Sequence, residues 1–397
     1  MIFLVTFRQK KFDKDKKPCN DKTSNTLGGS LMNKKLFALI FVATTILSVV
    51  SAGGRSDKTG TVDVGIVLPT KDEPRWIQDE TRFEALLDKT DFSYQILFSQ
   101  GSPAIEKTNV ETLVSKGMKV LIICPQDCAA VASTCDSANR AGVKVIGYDR
   151  LITGTTSVDY NVGFNSESVG TAQGEFLIKQ AKGKNNPLYL YAGAVSDENA
   201  FVFFNGAWKV LQPKITDGTF VIKNSSKAVA LQSKNELTRE ELSEIVGQIT
   251  TDWDFSVAKN KAQANLSSVT AADKGDVFIL APNDGTARSI ADVFASDTGV
   301  HNYVITGQDA EKASIQYIID GKQSMTVLKD TRKLTSAAAK MATSILQGET
   351  PEINSTYNNG AKDVPMYQIP VTSVSKNTVI ADIFDSGYYN KDEFTGL

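Results

Sequence analysis

The chain has 397 residues, 41% of them hydrophobic, and sets 43 Lys/Arg against 45 Asp/Glu. That is enough apolar material for two or three domains of ordinary size, and a near-neutral charge without a long basic run argues against a nucleic-acid binder. The single histidine, His301, leaves no His pair for a zinc site and argues against a His-based catalytic triad.

The first 52 residues read as lying outside the globular part of the chain. Met32-Asn33-Lys34-Lys35 is a short basic stretch, residues 36–50 are apolar apart from Thr and Ser, and Val50-Ser51-Ala52 offers small residues for cleavage. The apolar run is short for a membrane span and ends in Gly53-Gly54 without a basic stop-transfer cluster, so 32–52 is expected to be a secretory signal peptide. Residues 1–31 are basic, polar and aperiodic, and are read as an upstream extension from a mis-called start. Residues 1–52 carry nine of the Lys/Arg and three of the Asp/Glu, so the remainder has a net charge of −8. Such a charge favours solubility and gives no reason for a nucleic-acid or anionic-lipid partner. Three cysteines remain, Cys124, Cys128 and Cys135. The odd count argues against a disulfide framework, and they are expected to be buried or semi-buried thiols.

From residue 62 onward, short β-rich runs alternate with amphipathic stretches. Residues 62–68, 94–98, 120–124 and 143–148 read as strands, with helices near 75–87, 104–116 and 129–141. The alternation then repeats, with strands at 188–191, 220–223, 277–280, 303–305 and 325–328 and helices near 200–211, 286–294 and 331–346. Right-handed βαβ units on parallel sheets follow, so the expected fold is α/β with two doubly wound, Rossmann-like domains. Residues 224–252 are polar, and Leu237-Thr238-Arg239-Glu240-Glu241 resembles a helix start capped by Thr238; a surface helix and loop are expected there.

In such sheets a ligand binds beyond the carboxyl ends of the strands. The residues found there are Pro69-Thr70-Lys71-Asp72-Glu73-Pro74-Arg75-Trp76, Asp149-Arg150, Ser196-Asp197-Glu198-Asn199, Asn283-Asp284, Gln308-Asp309 and Lys329. Nearly every strand ends in planar or charged hydrogen-bonding side chains, with Trp76 and Trp253 beside them. That mixture suits a sugar. A hydroxyl receives from Arg, Lys or Asn while giving to Asp, and the apolar face of a pyranose packs on an indole.

These stretches resemble the periplasmic monosaccharide-binding proteins of ABC importers, of the xylose-binding and multiple-sugar-binding type. The carriers are Pro69-Thr70-Lys71 with Arg75-Trp76, Tyr148-Asp149-Arg150-Leu151-Ile152, Asp197-Glu198-Asn199-Ala200-Phe201, Gly307-Gln308-Asp309-Ala310, Thr326-Val327-Leu328-Lys329 and Asp385-Ser386-Gly387-Tyr388-Tyr389. The resemblance implies a type I periplasmic binding protein: two domains, 61–163 with 330–366 and 164–329 with 367–397, joined by a three-segment hinge. Crossings are expected near 163–165, 329–330 and 365–369. It places a sugar ring between Trp76 and Trp253, with Lys71, Arg75, Asp149, Arg150, Asn199, Asn283, Asp309 and Lys329 on its hydroxyls. Phe164-Asn165-Ser166 and Asp197-Glu198-Asn199 depart from the usual Phe-Asp-Asn and Asp-Asn-Asn, and the connection from Pro213 to Trp253 is longer than usual.

The function this implies is a non-catalytic extracytoplasmic receptor for an aldose of the xylose, glucose, galactose or arabinose class. It would act as a monomer, without cofactor or metal, and deliver the sugar to an ABC permease and its ATPase subunits. A sensor that presents its closed form to a chemoreceptor or sensor kinase is the alternative. A secreted glycosidase would need two carboxyls about 5 Å apart with split pKa values; the cleft Asp residues instead stand among Arg150, Asn283 and Lys329, which favour ionised carboxylates. A repressor of related fold would carry an N-terminal helix-turn-helix in place of an export signal.

Overall fold

In the computed structural model, residues 60–271 and 274–397 are described; the expected upstream extension and signal peptide lie outside them. The first part of the chain alternates strand and helix: β1 (Val64–Leu68), α1 (Pro74–Leu87), β2 (Tyr94–Phe98), α2 (Pro103–Ser115), β3 (Val120–Ile123), α3 (Ala132–Arg140), β4 (Lys144–Tyr148) and β5 (Tyr160–Phe164). The central strands β1 and β3 carry no polar side chain because helices cover both faces of their sheet. All five residues of β1 and all four of β3 are buried.

The second part comprises α4 (Ser166–Gln180), β6 (Asn186–Leu190), α5 (Glu198–Thr216), β7 (Phe220–Ile222), α6 (Ser226–Leu231), α7 (Arg239–Ile249), α8 (Phe255–Ser268), β8 (Gly275–Leu280), α9 (Asp284–Ser296), β9 (Val300–Ile305), α10 (Lys312–Ile319) and β10 (Met325–Leu328). The chain continues with α11 (Thr331–Leu346), β11 (Ser355–Asn358), β12 (Asp363–Ile369) and β13 (Thr372–Ser375). One sheet has seven strands in the order β11-β12-β5-β4-β3-β1-β2; the other has four, β7-β6-β8-β9, and β10 pairs antiparallel with β13. Each larger sheet has its own core on both faces.

The chain passes between the two lobes three times. The first passage is at Asn165, whose side chain caps α4 by accepting from the Ser168 N–H at 3.2 Å. The second is at Lys329–Asp330, where Asp330 caps α11. The third differs from expectation: β12 stays paired with β5 through Ile369, so the passage falls at Pro370–Val371, beyond both the 365–369 range and the 366/367 boundary. Pro370 has no N–H to extend the ladder.

Helix α4 and strands β5, β11, β12 and β13 are not among the elements predicted from sequence. In α4, Gly170 and Gly174 weaken helix propensity, yet a Cβ at Gly170 would overlap the Phe203 carbonyl, so glycine is what lets α4 and α5 approach. The polar stretch 224–252 is more than a surface element. Thr238 and Glu241 form a reciprocal capping box, and Leu242, Ile245, Val246 and Ile249, at i, i+3, i+4 and i+7, are buried with the α5 residues Phe204, Trp208 and Leu211. Cys124, Cys128 and Cys135 are free, buried thiols. Among the described residues, no helix is long and apolar enough to cross a membrane.

Candidate functional site

The carboxyl ends of strands from both lobes converge. Glu73, Arg75 and Trp76 follow β1, and Asp149 and Arg150 follow β4. From the other lobe come Asp197, Asn199 and Phe203 after β6, Asn283 after β8, Gln308 and Asp309 after β9, and Lys329 after β10. With Trp253 they enclose a cavity of about 20 Å³. Nine expected residues thus meet: Arg75, Trp76, Asp149, Arg150, Asn199, Trp253, Asn283, Asp309 and Lys329. Lys71 is placed elsewhere, its ammonium 3.1 Å from Glu80 and 4.4 Å from the centre of the Phe98 ring, with the side chain half exposed.

Four lining residues were not singled out from sequence. Glu73, Asp197 and Gln308 lie in strand-end stretches already marked as polar, beside residues that were chosen. Phe203 lies inside the predicted helix 200–211, to which no site role was given; its spacing of four from Asn199 puts both on one face of α5.

At the centre is a closed ring of alternating charge. Arg75 Nη2 lies 2.6 Å from Asp149 Oδ2, and Lys329 Nζ 3.8 Å from the same oxygen. Lys329 is also 2.9 Å from Asp309 Oδ1, and Arg75 Nη1 closes the ring at 3.7 Å from that atom. Burial by itself would push the Asp149 carboxyl up, but Arg75, Lys329 and Arg150 outweigh it and hold it at about 2.

The sequence neighbours Asp149 and Arg150 form no direct ion pair, although Arg150 still helps keep Asp149 ionised through its charge. Asp149 has φ +62°, and the Arg150 N–H donates to the Tyr148 carbonyl at 2.7 Å in a tight turn. The turn sends the side chains apart. Arg150 Nε lies 3.0 Å from Asp197 Oδ2, Nη2 3.8 Å from Glu73, and Nη1 donates to the Pro125 carbonyl at 3.0 Å. Burial raises the Glu73 and Asp197 carboxyls, against the pull of Arg150.

Other helix starts fix the remaining polar groups. Asn199 Nδ2 donates to the Asp149 carbonyl at 3.1 Å and its Oδ1 accepts from Ser166 at 2.9 Å, while Asn283 caps α9. Asp309 and Trp253, with φ +96° and +59°, share with Asp149 the left-handed backbone region, where side chains cost energy that functional sites tolerate. Trp253 reaches the cavity because α7 ends beside the chain after β6: Thr251 N–H donates to the Ala192 carbonyl at 2.8 Å and Thr250 Oγ1 to the Gly193 carbonyl at 2.7 Å. Only glycine fits at 193, since a Cβ would fall within the Trp253 indole. Phe203 meets Trp253 edge-on at 6.5 Å.

Trp253 Nε1 and Gln308 Oε1 are buried without a hydrogen-bond partner in the chain, a donor and an acceptor left for something bound. Among the described residues, no group of three His, Cys, Asp or Glu is placed to hold a metal. The arrangement therefore offers alternating fixed donors and acceptors beside two indoles.

The chain is similar to known proteins over most of its length. The family described as "Periplasmic binding protein domain" matches residues 64–350. The multiple sugar-binding periplasmic receptor ChvE of Rhizobium radiobacter is 33% identical over 341 residues, covering 83% of this chain and 91% of its own. A carbohydrate transporter solute-binding protein of Chloroflexus aurantiacus, solved with D-glucose, is 63% identical with a TM-score of 0.83, over 85% of this chain and all of its own. An ABC transporter solute-binding protein of Clostridium phytofermentans, solved with β-D-glucose, is 29% identical with a TM-score of 0.74, over 83% of this chain and 99% of its own. The chain belongs to the periplasmic binding protein family, has its type I fold, and is a binding protein rather than an enzyme.

Proposed function

We propose that this protein is an extracytoplasmic receptor that takes an aldopyranose of the D-glucose class between its two lobes and delivers it to an ABC permease with its ATPase subunits. The observation that carries the reading is the charge ring of Arg75, Asp149, Lys329 and Asp309, flanked by Trp76 and Trp253. A hydroxyl accepts from a cation and donates to an anion, so a sugar inserts between the members of an ion pair without leaving either unpaired. A cavity of 20 Å³ holds about one water-sized sphere, so entry requires the lobes to separate and the ion pairs to open around the ring. The ligand contacts are assigned to Arg75, Trp76, Asp149, Arg150, Asn199, Trp253, Asn283, Gln308, Asp309 and Lys329. Lys71 is left out because Glu80 holds it at the surface.

The lobes are assigned as 61–163 with 330–369 and 164–329 with 370–397, moving the last boundary to the end of β12. Export through residues 32–52, and action as a monomer, complete the reading. Two relatives carry D-glucose in their structures, which favours a hexopyranose over a furanose or a charged solute.

A thermal-shift panel of D-glucose, D-galactose, D-xylose and L-arabinose, followed by calorimetry, tests this. At a hundredfold excess over Kd, the cognate sugar stabilises the native state by about 2.7 kcal/mol. If none of these aldoses moves the melting temperature or gives binding heat, the reading fails.

A further inference from the structure

The loop after β3 ends at the cleft, yet none of its residues lines the cavity. It does something else. Cys128, between β3 and α3 in the first lobe, meets Ser196–Glu198, between β6 and α5 in the second. The Cys128 N–H donates to the Ser196 carbonyl at 2.9 Å, and the Glu198 N–H donates to Cys128 Sγ at 3.4 Å. The thiol faces Asp197 Oδ1 at 3.8 Å. Oδ1 of Asp197 also accepts from the Asn199 N–H, and Oδ2 pairs with Arg150. The same loop accepts from Arg150 through the Pro125 carbonyl.

We propose that Cys128 is a latch of the closed form: a positioning residue that acts through Asp197 on Arg150 and slows ligand release without touching the ligand. The inference rests on the sugar-receptor reading above. Every contact that Cys128 makes with 196–198 joins the two lobes, so opening breaks all of them together and bares the thiol. In the closed form the thiol is 3% exposed, and burial beside Asp197 keeps it protonated and unreactive. Cys124 and Cys135 are fully buried within the first lobe and stay so whether it opens or not.

The test is alkylation of the full chain with N-ethylmaleimide, with peptide mapping to assign label among Cys19, Cys124, Cys128 and Cys135. Without sugar, Cys128 labels faster than Cys124 and Cys135; equal resistance of all three overturns the latch. Saturating D-glucose protects Cys128, and protein alkylated there no longer binds D-glucose in calorimetry. Labelling that is indifferent to a sugar shown to bind, or an alkylated protein that binds normally, also overturns it. In stopped-flow release, Cys128→Ala frees D-glucose several-fold faster while Cys128→Ser, which keeps a donor and an acceptor, stays near wild type. Unchanged release in both, or a fall in the ligand-free melting temperature of Cys128→Ala with no change in release, assigns the residue to packing alone. If the untreated chain binds no sugar, the receptor reading falls and the ligand-free labelling rates decide the latch by themselves.

Discussion

Arg75 and Asp149, 74 residues apart, form a buried ion pair at 2.6 Å that joins the start of α1 to the end of β4, although Asp149 is followed directly by another arginine. The choice of partner is made by the backbone. With φ +62° at Asp149, its carboxylate turns toward Arg75 and Lys329 while Arg150 turns to Asp197 and Glu73. Behind Arg75, Asp79 lies 3.6 Å from the guanidinium and accepts from the Tyr148 hydroxyl at 2.8 Å, so the arginine is held from two sides.

Asp149→Ala deletes the acceptor shared by Arg75 and Lys329. Loss of a charged partner in a closed, dry site costs roughly 2–5 kcal/mol of binding, about 30- to several-thousand-fold in Kd. The ligand-free melting temperature is expected to move little, because water reaches both cations in an open cleft. Calorimetry with D-glucose and melts of the empty proteins check this. A variant that melts early but binds like wild type would make the pair structural.

Gly193→Ala introduces a methyl where the Trp253 indole lies. The indole must leave the cavity wall, lowering affinity by about 1–3 kcal/mol, roughly 5- to 150-fold. Titration followed by tryptophan fluorescence reads both the affinity and the altered surroundings of the ring. Wild-type values for both would remove Trp253 from the site.

Glu106 is almost fully buried on α2, and burial pushes its carboxyl up to about 7 although the Gln126 N–H donates to it at 2.7 Å. Its folded value exceeds the ordinary 4.5, so its contribution to stability is complete below pH 4.5 and lost as pH rises to 7, about 3 kcal/mol in all. Asp149 acts in the opposite sense at lower pH, but on closure rather than on the empty fold: in the closed form its stabilisation is present above 3.8 and lost as pH falls through 2. Urea melts of wild type and Glu106→Gln between pH 4.5 and 7.5 are expected to show a steeper decline for wild type. Parallel curves would contradict the assignment.

Closure on ligand is checked by X-ray scattering. Two lobes joined by three short passages hinge readily, so the radius of gyration is expected to fall on adding saturating D-glucose. Superimposable profiles would leave binding intact and remove the motion.

Export is checked by mass spectrometry of secreted protein, whose first residue is expected near Gly53. A secreted chain that still carries residues 36–50 would refute cleavage.

Much of this was legible in the sequence because hydrophobic alternation and helix periodicity are local signals. The strands at 94–98 and 325–328 and the helix at 331–346 emerged with matching bounds, and the rule that ligands meet strand ends drew attention to stretches that hold every lining residue but Phe203 and Trp253. The cap at Thr238 was readable for the same reason: the N–H it accepts from is three residues away.

Pairing across the cleft was decided only by the tertiary structure. Asp149 and Arg150 are adjacent in sequence, but a positive φ, which nothing in a lone Asp announces, sends their side chains to different partners. Lys71 stands in a motif beside Arg75, yet it lies before the helix begins and turns to Glu80, whereas Arg75 lies inside the first turn and points inward. Gly170 and Gly193 read as ordinary glycines until the helix and the indole that press on them are in place. Periodicity and capping depend on residues within a turn or two of each other. The choice among several possible ion pairs, and the need for a missing Cβ, depend on atoms that only folding brings within a few ångströms.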